Sequence, residues 1–264
     1  VVGVVPTGRL PRREVGMLVA LQVAMVLGGS LAMYLDSIAF LQTINPLMAP
    51  LVGVCEYVVL RKRTSRTTAG LAVTAAFGLV LATATEFTWH HVTIGGVFSA
   101  VAAIVAAAMF PVWTRVVIDR LKCDSGRLLL DVALWTLVCI TPTLPVFDNY
   151  DPHLERSIWA FPITLPIWIG ILLSGLLGFL MSLSIFIIVE HSSALTYGFV
   201  NLSRYAFVLI LDLAFLDRHL TPRLLLGVAC TVVSCTLYSM RLSRSSPSPA
   251  ASIPQADHQA LSPH

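Results

Sequence analysis

Apolar residues recur along this chain in long unbroken runs, not in the three-or-four-residue rhythm of a helix with one wet face. Eight runs lie at Val15–Leu35, Ile38–Leu60, Thr67–Thr85, Thr93–Trp113, Leu128–Phe147, Thr164–Val189, Ser193–Leu216 and Arg223–Met240. Each approaches the roughly 20 residues a helix needs to cross the ~30 Å hydrocarbon core of a bilayer. In lipid every backbone N–H must be satisfied within its own element, so such runs form helices. The pattern predicts an all-α polytopic transmembrane helical bundle of about eight spans over residues 1–240. From Arg241 the sequence turns to Ser, Pro and Ala, and residues 241–264 are expected to be a disordered tail, because they cannot bury apolar surface.

Composition sharpens this. The 264 residues are 56% hydrophobic and only 12% charged, against about 25% charged in soluble domains, and mean hydropathy is +0.83. A water-facing surface cannot be built from this set. If the helices alternate in direction, one face collects thirteen basic residues: Arg9, Arg12, Arg13, Arg61, Lys62, Arg63, Arg66, Arg115, Arg120, Lys122, Arg127, Arg241 and Arg244. The other face holds Arg156, Arg218 and Arg223 together with Asp148, Asp151, Glu155 and Asp217. The positive-inside rule then places both termini, and the tail, in the cytosol.

The remaining chemistry is sparse. Cys55, Cys123, Cys139, Cys230 and Cys235 show neither disulfide spacing nor a metal-ligand cluster and are expected to be free thiols. His90 and His91 stand in a non-cytosolic loop without metal-ligand partners at suitable spacing. Hydrolase, zincin and phosphate-loop motifs do not occur, so neither enzymatic activity, a cofactor, a metal nor a nucleic-acid partner is expected. The chain begins at Val1 with no cleavable signal pattern before the first apolar run, as expected of a fragment.

An internal repeat draws attention to mid-membrane. At a constant offset, Ser37–Leu60 aligns with Ser193–Leu216, matching Asn45 with Asn201 and Glu56 with Asp212. Odd separation of the two spans makes them run in opposite directions, the mark of an inverted-topology repeat around a central site. Tyr197, Asn201, Arg204, Val208 and Asp212 share one helical face, and Gln42, Asn45, Ala49, Val52 and Glu56 form a similar stripe. Both stripes are expected to face the interior. Arg204 lies half way along its span, where an arginine costs ~2.5–3.5 kcal/mol on translocon scales. It is expected either to clamp an anion through its planar guanidinium or to form a structural ion pair with Glu56 or Asp212. Asp131 either lines the cavity or caps its helix. The small residues Ala100, Ala102, Ala103, Ala106, Ala107 and Ala108, and Gly170, Ser174, Gly175 and Gly178, are expected to serve helix packing.

The stretch from Ser192 through Asn201, Arg204 and Asp217 to Gly227 resembles the last two helices of the triose-phosphate and nucleotide-sugar transporter families, in the drug/metabolite transporter superfamily. The segment from Ser37 through Asn45 to Ser65 resembles the fourth helix of those families and its following loop. The resemblance extends over Val15–Met240. It implies a fold of ten helices in two inverted five-helix repeats, of which the eight spans would be helices three to ten, leaving the transporter domain incomplete at its N-terminus. It also implies exchange of phosphorylated sugars or nucleotide sugars for phosphate or nucleotide monophosphate. Arg204 falls where the families place a cation that binds substrate phosphate, with Asn201 in the same motif. Tyr205 stands where triose-phosphate carriers have a second cation, and Asn45 stands where they have a lysine. Those departures argue against a plastid triose-phosphate exchanger, and the asparagine-rich motif of GDP-mannose carriers is not visible.

The expected function is therefore a Golgi or endoplasmic-reticulum antiporter working by alternating access on a small anionic metabolite. Arg204 would bind phosphate oxygens, while Asn201, Asn45, Tyr197 and Tyr205 would orient the ligand through hydrogen bonds. The alternative is a non-transporting scaffold or receptor-like relative, or a truncated inactive product.

Overall fold

The structure, a computed structural model, describes residues 11–36, 38–61, 64–83, 93–143, 164–215 and 221–245, with backbone only for 38, 39, 212–215 and 245. The elements are α1 (Arg12–Leu35), α2 (Ile38–Ile44), a 3-10 turn (Asn45–Leu47), α3 (Met48–Leu60), α4 (Arg66–Thr83), α5 (Ile94–Leu121), α6 (Ser125–Ile140), a second 3-10 turn (Thr141–Thr143), α7 (Leu165–His191), α8 (Ala194–Phe215) and α9 (Pro222–Ser245). With α2, its 3-10 turn and α3 forming one crossing, eight segments among the described residues are long and apolar enough to span a membrane. His90, His91 and the acidic residues 148–155 lie outside the described residues.

Helix ends follow local chemistry that apolar runs do not encode. Helix α5 continues past the expected end at Trp113 because Val116, Val117 and Ile118 are buried against the bundle, with Arg115 and Asp119 pairing across one turn at 3.0 Å on the exposed side. It stops at Lys122, whose left-handed backbone (φ 45°) returns its N–H to the Ile118 carbonyl. Helix α6 starts at Ser125, ahead of the expected Leu128, because the Asp124 carboxylate accepts from the Arg127 N–H at 3.4 Å. That cap is Asp124 and not Asp131. Helix α9 carries on through Arg241–Ser245, residues expected to belong to the tail; residues 246–264 lie outside the described residues.

Without a hydrophobic driving force between helices in lipid, close packing decides their arrangement. Helix α1 packs on α5 and α6, α3 on α4, α5 and α8, and α9 on α4 and α8. Gly28 of α1 lies against α5, where an added Cβ would stand 3.1 Å from the Ser99 carbonyl oxygen and 3.2 Å from the Ala103 Cβ. Of the alanines of α5, Ala100, Ala103, Ala106 and Ala108 are buried as expected, whereas Ala102 is exposed and Ala107 half-buried at the cavity. The small residues of α7 do not: no atom lies within 4 Å of a Cβ added at Gly170, Gly175 or Gly178. The first half of α7 faces outward, with Leu172, Leu176 and Leu180 exposed, and only its end buries Phe186 and Val189.

The repeat is visible in contacts between its equivalent helices. Along α4 and α9, Thr67 meets Arg241, Ala75 meets Thr231 and Gly78 meets Gly227, so the two run antiparallel. At the centre the Thr231 hydroxyl donates to the Ala75 carbonyl at 3.0 Å across a separation of 156 residues, the offset that aligns Asn45 with Asn201. A residue touching its own equivalent marks where a two-fold axis passes. The other pair crosses the same way, with Met48 against Asn201, Ala49 against Gly198 and Glu56 against Leu195.

One end of the bundle gathers the basic residues. Arg120 approaches Glu14 at 3.4 Å, and Arg241 bonds Thr67. Arg115 Nη1 donates to the carbonyls of Val189, Glu190 and Ser192 at 2.7, 2.8 and 3.2 Å. These contacts bring the starts of α1 and α4 beside the ends of α5, α7 and α9. All five cysteines are free thiols.

Candidate functional site

Two local features of the sequence build the site. Pro46 and Pro50 lack the N–H groups that would continue the helical ladder, and the second crossing accordingly breaks into a 3-10 turn over Asn45–Leu47. Broken helices of this kind expose polar groups at mid-membrane in transporters. Opposite, α8 presents Tyr197, Asn201, Arg204 and Tyr205, spaced four, three and one apart, to the same space. Pro111 repeats the device in α5: it cannot bond the Ala107 carbonyl, and both residues line the cavity.

The cavity has a volume of about 660 Å³ and is walled by α1, the broken crossing, α5, α6, α7 and α8. All five residues expected from the sequence, Asn45, Tyr197, Asn201, Arg204 and Tyr205, line it. Arg204 is half-buried. Its Nη1 donates to the Met181 thioether at 3.1 Å, and its Cζ lies 5.0 Å from the centre of the Tyr205 ring. Asn201, buried, donates its amide to the Met48 thioether at 3.6 Å. Two strong donors, one of them charged, thus rest on sulfurs that are weak acceptors. Among the described residues no carboxylate comes within salt-bridge distance of Arg204.

The ion-pair alternative therefore fails for Glu56. That side chain is 4% exposed, and its Oε1 accepts from the Leu195 N–H at 3.3 Å, at the start of α8. A carboxylate there complements the positive end of the helix. The Asp212 side chain lies outside the described residues.

Both interior stripes are shorter than the spacing predicted. Val208 is 54% exposed, since an apolar side chain loses nothing by facing lipid, and Gln42, on α2 ahead of the break at Asn45, is exposed. Asp131, half-buried, is not among the cavity-lining residues.

Several lining residues escaped the sequence reading. Met48 and Met181 carry the acceptors just described, and Gln22 and Ser182 add polar groups from α1 and α7. Thr136 on α6 is buried, with a hydroxyl that has no partner among the described residues. A polar residue alone in an apolar run, as Gln22 is, was the available signal; the methionines had none.

Comparisons with known proteins agree in kind. The sequence profile described as the Triose-phosphate Transporter family matches residues 3–239. UDP-xylose transporter 2 of Arabidopsis thaliana is 23% identical over 238 residues, covering 89% of this chain and 66% of the relative. A probable sugar phosphate/phosphate translocator of the same plant is 23% identical, over 81% of this chain and 68% of its own length. GDP-fucose transporter 1 of Dictyostelium discoideum is 22% identical, over 84% and 59%. The chain spans about two thirds or less of the length of these curated relatives, down to 57% for UDP-xylose transporter 3 of Arabidopsis thaliana.

Proposed function

Because this chain belongs to the Triose-phosphate Transporter family, whose named relatives are transporters and not enzymes, we propose that it carries the substrate path of an antiporter. The cargo is a phosphorylated sugar or a nucleotide sugar, moved by alternating access. The observation that supports this most is the pairing of the Arg204 guanidinium and the Asn201 amide with thioethers inside a 660 Å³ cavity. A phosphate offers both donors a far stronger acceptor, and the guanidinium fork matches two of its oxygens at once.

Arg204 binds the phosphate in this reading. Asn201, Asn45, Tyr197 and Tyr205 orient the rest of the ligand, and the Thr136 hydroxyl receives a sugar hydroxyl on the opposite wall. The relatives' named cargoes, UDP-xylose, GDP-fucose and a sugar phosphate, share a sugar joined to phosphate, which is the chemistry such a wall would select. The membrane is that of the Golgi or endoplasmic reticulum, with the basic end of the bundle and both termini in the cytosol.

Thermal stabilisation of the purified protein by UDP-xylose, GDP-fucose, triose phosphate and the corresponding neutral sugars tests the reading. A ligand at a hundred times its Kd stabilises by about 2.7 kcal/mol, so phosphorylated members should raise the melting temperature and neutral sugars should not. Equal shifts from neutral and phosphorylated sugars, or none from either, would remove the proposal.

A further inference from the structure

A second concavity lies away from the substrate cavity and shares no residue with it. This groove of about 530 Å³ runs between α3 and α4. Its walls are Pro50, Gly53, Val54 and Tyr57 on one side and Ala69 and Val73 on the other, with Leu195 at its floor. Small side chains open it: at Gly53 an added Cβ would already touch Leu195 Cδ1 at 3.6 Å. Val54, Tyr57 and Val73 are each more than half exposed, so the groove faces outward from the bundle, where lipid lies.

Its polarity changes along its length. Thr64 and Arg66 stand at the mouth, beside the end of α3 and the start of α4, at the basic end of the bundle. From there to Val73 and Pro50 the walls are apolar for seven to ten helical residues, a depth of about 10–15 Å at 1.5 Å per residue. That is about half of a ~30 Å hydrocarbon core, hence one leaflet. The loop and the start of α4 carry Arg61, Lys62, Arg63 and Arg66, and no acidic residue occurs from Tyr57 to Thr83; Glu56, just before, is buried and turned to the Leu195 N–H. Basic pockets between spans on the cytosolic side suit anionic lipid headgroups.

We propose that this groove binds one anionic phospholipid of the leaflet at the basic end. An acyl chain lies along Pro50, Gly53, Val54, Ala69 and Val73, and the headgroup phosphate meets Arg66, with the Thr64 and Tyr57 hydroxyls beside it. The apolar length commits the site to a lipid and not to a free anion, which would leave most of the groove uncovered. The substrate cavity plays no part in this binding.

Native mass spectrometry of the detergent-purified chain, given dioleoyl phosphatidylserine or dioleoyl phosphatidylcholine, reads the site directly. The unaltered protein should retain one phosphatidylserine with at least fivefold preference over phosphatidylcholine. Arg66→Gln should abolish that preference, Arg66→Lys should keep most of it, and Ala69→Phe, which fills the groove from its exposed side, should remove the bound lipid of either kind. The proposal is overturned if Arg66→Gln keeps the preference, if Ala69→Phe keeps the lipid, or if inorganic phosphate or free phosphoserine stabilises the protein as well as the lipid does. Because the readout is bound lipid, its failure leaves the role of Arg204 untouched, and failure of transport leaves this site untouched.

Discussion

Replacing Arg204 with alanine separates a binding role from a structural one, because the two predict opposite effects on stability. Ten residues from the start of α8, Arg204 sits about 15 Å into the span, half way across a ~30 Å core. A guanidinium at that depth costs ~2.5–3.5 kcal/mol. The Tyr205 ring at 5.0 Å returns roughly 0.5–2 kcal/mol, and the Met181 thioether is a poor acceptor. With no carboxylate among the described residues to offset the rest, Arg204→Ala should melt at or above the temperature of the unaltered protein. Against a phosphate the same side chain makes charge-assisted hydrogen bonds worth ~1.5–3 kcal/mol. Its loss should therefore weaken apparent substrate affinity roughly 10- to 150-fold, while Arg204→Lys, keeping charge without the fork, falls between. The assay is counterflow in proteoliposomes alongside a melting curve of each variant. Transport unchanged in Arg204→Ala would refute the anion clamp. A melting temperature lowered by several degrees, with transport lost in proportion, would refute it equally and restore a structural ion pair.

Three further outcomes follow from the packing and the basic end. Gly78→Ala places a Cβ 2.7 Å from the Gly227 carbonyl oxygen and 2.9 Å from Thr231 Oγ1, and overpacking of this kind costs ~1–3 kcal/mol; a melting temperature within a degree of the unaltered protein would contradict the close α4–α9 crossing. Arg115→Ala removes the donor shared by the Val189, Glu190 and Ser192 carbonyls, so hydrogen exchange at the α7–α8 turn should speed up, and unchanged exchange would show that those bonds hold nothing. Burial pushes the Cys123 thiol, in the turn after α5, above its ordinary value, against a smaller downward pull from a backbone hydrogen bond, while Glu190 and Asp124 push up and Arg127 pulls down. Its maleimide reaction should thus lag an unhindered thiol at pH 8. Because the folded value is the higher one, its contribution to stability is complete below the unfolded value and is lost as pH rises through the folded one. Cys123→Ser should then lose less stability than the parent between pH 8 and 10, and identical losses would discount the burial.

The spans were legible because hydrocarbon tolerates so little: a run of twenty apolar residues has few alternatives to a crossing helix. Their ends were less so, since Asp124 as a cap, Lys122 in a left-handed conformation and the Arg115–Asp119 pair are polar events in short windows that hydropathy smooths away. The cavity lining was legible in its charged and amide members for the same thermodynamic reason, as Arg204 and Asn201 are too costly in lipid to face it and instead line the cavity. Met48, Met181 and Thr136 were not, because methionine and threonine are ordinary occupants of a span and only a fold can show which of them meet a cavity. The stripe on α8 failed at Val208 because helical spacing fixes a face but not where that face stops being covered.

The repeat explains why the site lies where it does. Asn45 and Asn201 are equivalents at the offset that brings Thr231 onto Ala75, so both pairs straddle one axis, where groups would move least if the halves rocked about it as the proposed alternating access requires. The halves are nevertheless unequal there. A 3-10 turn breaks the helix at Asn45, whose side chain stands at the cavity, whereas α8 stays continuous through Asn201 and carries its charge three residues on, at Arg204. One half thus supplies an amide, the other an amide and a cation. In the proposed reading, a ligand gripped by both would bear its negative charge toward α8 and its hydrogen-bonding portion toward the break, the polarity of a sugar joined to phosphate.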